Sequence, residues 1–138
     1  MRVALVFCAA ALLAACSNEP LGPAPLDFGS ETCRWCRMVI SDRRFPAQLV
    51  APGQEPLFFD DIDCLAKYLP KNGAPNGAVT WVADYKTSKW IRARGADYYR
   101  CPGLASPMSS GIIATAPGGT PTFCPPIDAK AELGRELP

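Results

Sequence analysis

Short apolar runs separated by turn signals occupy the middle of the chain. Val39-Ile40, Ala47-Gln48-Leu49-Val50 and Leu57-Phe58-Phe59 are divided by Ser41-Asp42-Arg43-Arg44 and by Pro52-Gly53-Gln54-Glu55. They predict strands joined by hairpin-like turns. Ile62, Leu65, Ala66 and Leu69 then fall at helical spacing, with Asp60 and Asp61 ahead as capping carboxylates, Lys67 and Lys71 toward the end and Pro70 near the stop. That segment predicts a helix. After the loop at 72–77, Val79-Thr80-Trp81-Val82-Ala83-Asp84-Tyr85 is the strongest strand candidate in the chain. The order strand, strand, helix, strand describes a small α+β unit over residues 32–85.

The second half, 86–138, is more fragmentary. Trp90-Ile91, Tyr98-Tyr99 and Gly111-Ile112-Ile113-Ala114-Thr115 each predict a strand, and Asp128 to Leu133 predicts a short terminal helix. The element order supports a second, divergent ββαβ-like unit, although no residue-level repeat accompanies it.

The first 31 residues have a different character. Arg2 is a short positive region, Val3 to Leu12 is apolar, and Leu13-Ala14-Ala15-Cys16 closes the segment with small residues. The apolar run is well short of the ~20 residues that a spanning helix needs, so residues 1–15 read as a secretory signal. Leu-Ala-Ala-Cys has the form of a lipobox, with Cys16 acylated as the first mature residue. An ordinary signal with a leftover thiol is the plainer alternative. Ser17 after the modified cysteine leans toward the outer membrane, the protein facing the periplasm. Residues 16–31 read as a lipidated cysteine and flexible tether, because prolines at 20, 23 and 25 favour an extended spacer of ~3.1 Å per residue. Ser17 to about Asp27 is expected to be disordered or nearly so.

Charge narrows the partners. The chain carries 14 basic and 13 acidic residues, and removing Arg2 with the signal makes the two equal. So neutral a chain lacks the footprint of a nucleic-acid binder. Membrane contact is expected through the lipid alone.

Chemistry concentrates in Cys33-Arg34-Trp35-Cys36-Arg37-Met38, two thiols and a thioether in a chain with no histidine. A thioredoxin-like pair wants a helix N-terminus after a strand, and no preceding strand is visible. A zinc corner wants a second pair or histidines, unless Cys64, Cys101 and Cys124 assemble one. Structural disulfides to Cys101 or Cys124 are the bland reading. A Cu(I) site is the fourth, since thiolate with thioether selects a soft monovalent ion. If the segment is extended, Cys36 and Met38 project to one face. Five cysteines beyond Cys16 and Cys8 leave at least one unpaired. Cys64, on the apolar helix face, reads by default as a buried inert thiol, with a role as partner to another cysteine as the alternative. Asp60, Asp61 and Asp63 read as helix-start residues rather than an acidic metal cluster. Trp35 could shield a bound ion, but burial explains it equally well, and Trp81, Trp90, Tyr98 and Tyr99 read as packing.

The lipobox, Cys33-x-x-Cys36-x-Met38, Phe59-Asp60-Asp61-Ile62-Asp63-Cys64-Leu65, Asp84-Tyr85 with Trp90-Ile91-x-Ala93, and Pro107-Met108-Ser109-Ser110-Gly111-Ile112-Ile113-Ala114 occur together and in this order. In this the chain resembles the NosL family, the nitrous-oxide-reductase accessory lipoproteins, from the signal to about Ala114. The resemblance implies two small related ββαβ-type units similar to part of organomercurial lyase. It also implies a non-enzymatic, lipid-anchored Cu(I) chaperone facing the periplasm. Such a protein supplies the copper centres of nitrous oxide reductase and works with an ABC-type maturation complex. Cys36 and Met38 match the family's metal-binding sulfurs, Cys33 its first cysteine, and Met108 the methionine of Pro-Met-x-x-Gly. The runner-up is a lipid-anchored thiol–disulfide reductant acting through Cys33 and Cys36.

Three departures stand against the family pattern. Arg37 occupies a position where glycine is frequent, so a different local backbone is expected. No histidine is present to serve as an auxiliary ligand. The chain beyond Ala114 is short, with Cys124 beside prolines.

Overall fold

The computed structural model describes residues 21–128 and Pro138. The expected signal peptide, Cys16 and all but the first residue of the terminal helix expected at 128–133 lie outside the described residues.

The α+β class stands. Strand β1 (Ala47–Val50) lies between β2 (Leu57–Phe59) and β3 (Val79–Ala83), and β4 (Trp90–Arg92) extends the sheet beyond β3. All three pairings are antiparallel, with Ala47 opposite Phe59 on one side and Val82 on the other. These three side chains are fully buried and form the sheet's core face.

Helix α1 (Ile62–Asn72) covers that face with Ile62, Leu65, Ala66 and Leu69, the expected stripe. Asp61 caps it, accepting from the Asp63 amide at 2.9 Å. Gly73 ends it at φ 72°, donating to the Leu69 carbonyl. Pro70 sits in the last turn, and the helix runs two residues past it.

A second sheet is the hairpin of β5 (Asp97–Arg100) and β6 (Ile112–Thr115). It joins the first sheet through a parallel bridge between Asp84 and Ala114, and it carries a small core of Phe45, Tyr99, Cys101 and Ile113. The expected division at 85/86 therefore does not mark a break. β4 belongs to the first sheet, and among the described residues the second half contributes a hairpin without a helix of its own.

The proline-rich segment departs from expectation. Ala24 donates to Gln48 Oε1 at 2.7 Å, and Gln48 Nε2 donates back to the Ala24 carbonyl at 3.2 Å. Ala24, Leu26 and Phe28 pack against the main core. The reason is β1's central position, which buries its outer face too. Gln48 there is fully buried and must find partners for its amide. Prolines at 23 and 25 keep the backbone extended, so both polar groups of Ala24 remain available to supply them. From Ala24 onward the tether is part of the folded unit.

Candidate metal centre

Residues 27–40 form a narrow hairpin that sets the sulfur loop at its tip. The Gly29 amide donates to the Ile40 carbonyl, Ile40 to Glu31, and Cys33 to Met38, all within 2.9 Å, with Thr32 bridged to Val39. The expected strand at Val39-Ile40 is one arm of this hairpin rather than part of a sheet. The Arg34 amide donates to the Phe58 carbonyl at 2.8 Å and docks the tip on β2.

Inside the tip the chain turns, so the extended geometry expected for Cys36 and Met38 is absent. Arg37 adopts φ 68°, and its amide returns to the Cys33 carbonyl at 3.1 Å. That is the left-handed conformation glycine adopts freely. The departure at Arg37 thus leaves a glycine-type backbone carrying an arginine. Met38 ends on the surface, 43% exposed.

The tip brings Cys33 and Cys36 beside a third thiol, Cys64 from the first turn of α1, with the three sulfurs within 4.8 Å of one another. Cys64, expected to be inert, is therefore part of the cluster. No local sequence signal marks it: the contact arises because α1 follows β2, the strand on which the tip docks. Cys33 and Cys64 are fully buried and Cys36 is partly exposed, so the group opens on one side.

The three thiols are electrostatically unlike. Cys33 is brought down to about 5, chiefly because the Cys64 thiol donates to its sulfur, against burial, with help from the amides of Asp60, Cys36 and Trp35. Cys64 is pushed up by the same shared proton and by burial. Burial first, then the Cys33 thiolate beside it, raises Cys36. One thiolate therefore stands ready among two thiols. Asp60, buried with Oδ1 unpartnered, is pushed up to about 6 by burial and then by the Cys33 charge. Three thiolates and no imidazole make a donor set for a soft ion, with room for two- or three-coordinate geometry.

Met108, on the loop before β6, is tied to the start of α1 through its backbone. Its amide donates to Asp61 Oδ2 at 3.2 Å, and its side chain packs on the core that contains Cys33 and Cys64. Ser110 Oγ also donates to that carboxylate, 2.9 Å from Oδ1. Gly111 follows at φ 64°, where a Cβ would sit 2.7 Å from the Cys101 carbonyl oxygen, so only glycine fits.

Cys101 and Cys124 bridge each other, which settles the disulfide alternatives: Cys33, Cys36 and Cys64 are free. Trp35 is half-buried beside the cluster with Lys71 Nζ 5.0 Å above its ring.

The NosL family model matches residues 25–110 of the chain. Among solved structures, the crystal structure of the copper chaperone NosL from Shewanella denitrificans matches with a TM-score of 0.60 at 18% identity, over 72% of this chain and 82% of that one. At that identity the likeness concerns the fold. No curated protein sequence matches the chain.

Proposed function

The chain belongs to the NosL family, and we propose that it is a non-enzymatic Cu(I) chaperone that loads copper on the Cys33, Cys36 and Cys64 sulfurs. The observation that carries this reading is the convergence of three free thiols within 4.8 Å, open on the Cys36 side. The copper chaperone named for the matching structure supports the same cargo. Met38 and Met108 are the candidate auxiliary thioethers on the family pattern; Met38 is exposed two residues from Cys36, and the Met108 backbone is tied to Asp61 at the start of α1.

Loading would proceed by ligand exchange. The Cys33 thiolate is the first donor available, and Cys36 and Cys64 join as each gives up a proton to solvent. The buried pair holds the ion, while the partly exposed Cys36 leaves a face where an acceptor's donors can enter. In the cell we place the protein on the envelope, acylated at Cys16 and facing the periplasm. Its receiver is the copper assembly of nitrous oxide reductase, with an ABC-type complex as helper.

The thiol–disulfide alternative is less well served by this geometry. A reductant needs its low-pKa sulfur exposed for attack. Here the ionised Cys33 is fully buried, and the accessible Cys36 is raised.

The test is an anaerobic Cu(I) titration, against a competing chelator, of reduced soluble protein lacking residues 1–16. One tightly held Cu(I) per chain is expected, weakened roughly tenfold or more by Cys36→Ser and by Cys64→Ser. Absence of binding, or affinity unchanged in both variants, would overturn the reading.

A further inference from the structure

Large apolar side chains stand exposed at three described positions, Met38, Val39 and Phe123, and two of these are neighbours on the hairpin tip. The same tip carries Arg34 and Arg37, both exposed and neither with an acidic partner among the described residues. Elsewhere Arg44 pairs with Asp42, Lys67 pairs with Asp63 and Arg92 stacks on Trp81, while Lys86, Lys89 and Arg94 are exposed on other parts of the surface. Lys71 adds a third positive charge from the end of α1, lying over the Trp35 ring. Asp60 and Asp61 are buried, and Glu31 is half-buried with its carboxylate on the Thr32 amide. What sets the hairpin apart is that its two arginines without an ion pair stand beside two of the exposed apolar side chains and next to the partly exposed Cys36.

We propose that the hairpin tip is a docking surface for an acidic protein partner, whose carboxylates meet Arg34, Arg37 and Lys71 while Met38 and Val39 make the apolar contact. The proposal rests on the copper-carrier reading for the purpose of the contact, which is hand-over at Cys36. Arginine and methionine with an aliphatic neighbour are the composition of interface centres. Uncompensated cations attract an acidic surface across about a Debye length, ~8 Å at physiological salt, and repel a basic one. Hand-over is ligand exchange without electron transfer. Each copper–sulfur bond is replaced by a bond to an acceptor donor atom, the released thiolates of Cys36 and Cys64 take protons from water, and copper stays monovalent.

The test uses the chain purified from membranes in neutral detergent, loaded with Cu(I), and two synthetic acceptor peptides. Both share one methionine-rich Cu(I)-binding core; one is flanked by aspartates and the other by lysines. Transfer to the aspartate peptide is expected to be roughly tenfold faster at low ionic strength, with the gap closing at about 0.5 M salt. Arg34→Glu with Arg37→Glu should abolish or invert the preference at unchanged Cu(I) affinity, and Arg34→Lys with Arg37→Lys should keep it. Equal transfer to both peptides would overturn the proposal. So would a preference that survives Arg→Glu, or an Arg→Glu effect confined to copper affinity, which would assign the arginines to charge balance at the loaded centre. If no Cu(I) binds, the carrier reading fails instead. Fluorescence anisotropy of the labelled peptides on copper-free protein then decides the docking surface alone, with the same expected preference.

Discussion

The amide of Met108 donates to the carboxylate of Asp61 across 3.2 Å, although the two residues lie 47 positions apart. Asp61 is also the cap of α1, the helix that carries Cys64 in its first turn. One fully buried side chain therefore fixes the helix start and the methionine loop together. Displacing it would move two sulfur-bearing segments at once.

Replacing Asp61 separates these roles. Asp61→Ala leaves the Asp63 and Met108 amides and the Ser110 hydroxyl without their acceptor. A lost cap costs about 1 kcal/mol and each stranded buried group about 1–3. A loss of about 2–4 kcal/mol in urea unfolding is expected. Asp61→Asn keeps one acceptor oxygen but turns an NH2 toward a donor, and should fall between. Wild-type stability in Asp61→Ala would refute the coupling.

Much of this fold is legible in the chain because its signals are local. The stripe of Ile62, Leu65, Ala66 and Leu69 marks α1, and the apolar runs mark β1, β2 and β3 at or within a residue or two of their ends. What escapes is non-local. Nothing near Cys64 indicates that a hairpin tip starting 31 residues earlier will set two thiols against it. Nothing near Ala24 reveals a buried glutamine waiting on β1. The parity argument for Cys36 and Met38 assumed an extended backbone, and the left-handed Arg37 removes that premise.

The turn at Arg37 can be tested by substitution. Left-handed geometry penalises L residues by about 1–2 kcal/mol, and β-branched ones most. Arg37→Gly should preserve stability to within about 1 kcal/mol, because relief of strain is offset by the greater freedom of the unfolded chain. Arg37→Val should be less stable than Arg37→Gly by about 1–2 kcal/mol. Equal stability of the two would mean the tip is not held in this turn.

The disulfide is expected to act on stability and not on the thiol cluster. Cys101 and Cys124 close a loop spanning 23 positions that includes β6 and the Met108 segment. Chain-entropy reasoning assigns such a loop about 3 kcal/mol. The double variant Cys101→Ser/Cys124→Ser should lose about that amount in denaturant unfolding. Without reductant, the unfolded protein lacking residues 1–16 should titrate three thiols, Cys33, Cys36 and Cys64. Five thiols, or one, would contradict the pairing.

Gln48 decides where the folded unit begins. Gln48→Leu keeps the volume but removes both bonds to Ala24. Leaving that backbone unpaired should cost about 1–3 kcal/mol and free the segment ahead of the hairpin. Limited proteolysis is the readout, with cleavage between Leu21 and Phe28 expected in the variant and resisted by the parent chain. Equal susceptibility would show that the segment is not held through Gln48.

Proton counting probes the cluster most directly. Cys33 is brought from 9.0 down to about 5, while Cys36 and Cys64 are raised and stay protonated at neutral pH. The sign follows from the two states. Folded Cys33 is ionised above about pH 5 and unfolded Cys33 only above about 9, so its contribution to stability is complete above pH 9. It shrinks as pH falls through that window and is gone below about 5. In the reduced copper-free protein, one thiolate absorbance should persist at pH 7, disappear on acidification through about 5, and be missing in Cys33→Ser. Loading Cu(I) on all three sulfurs should then release two protons at pH 7, since one of the three is already lost, and three below pH 5. Calorimetric titrations in buffers of different ionisation enthalpy give that count. Three protons at pH 7 would mean Cys33 is not the preformed thiolate. One would mean that only two of the sulfurs take part in binding.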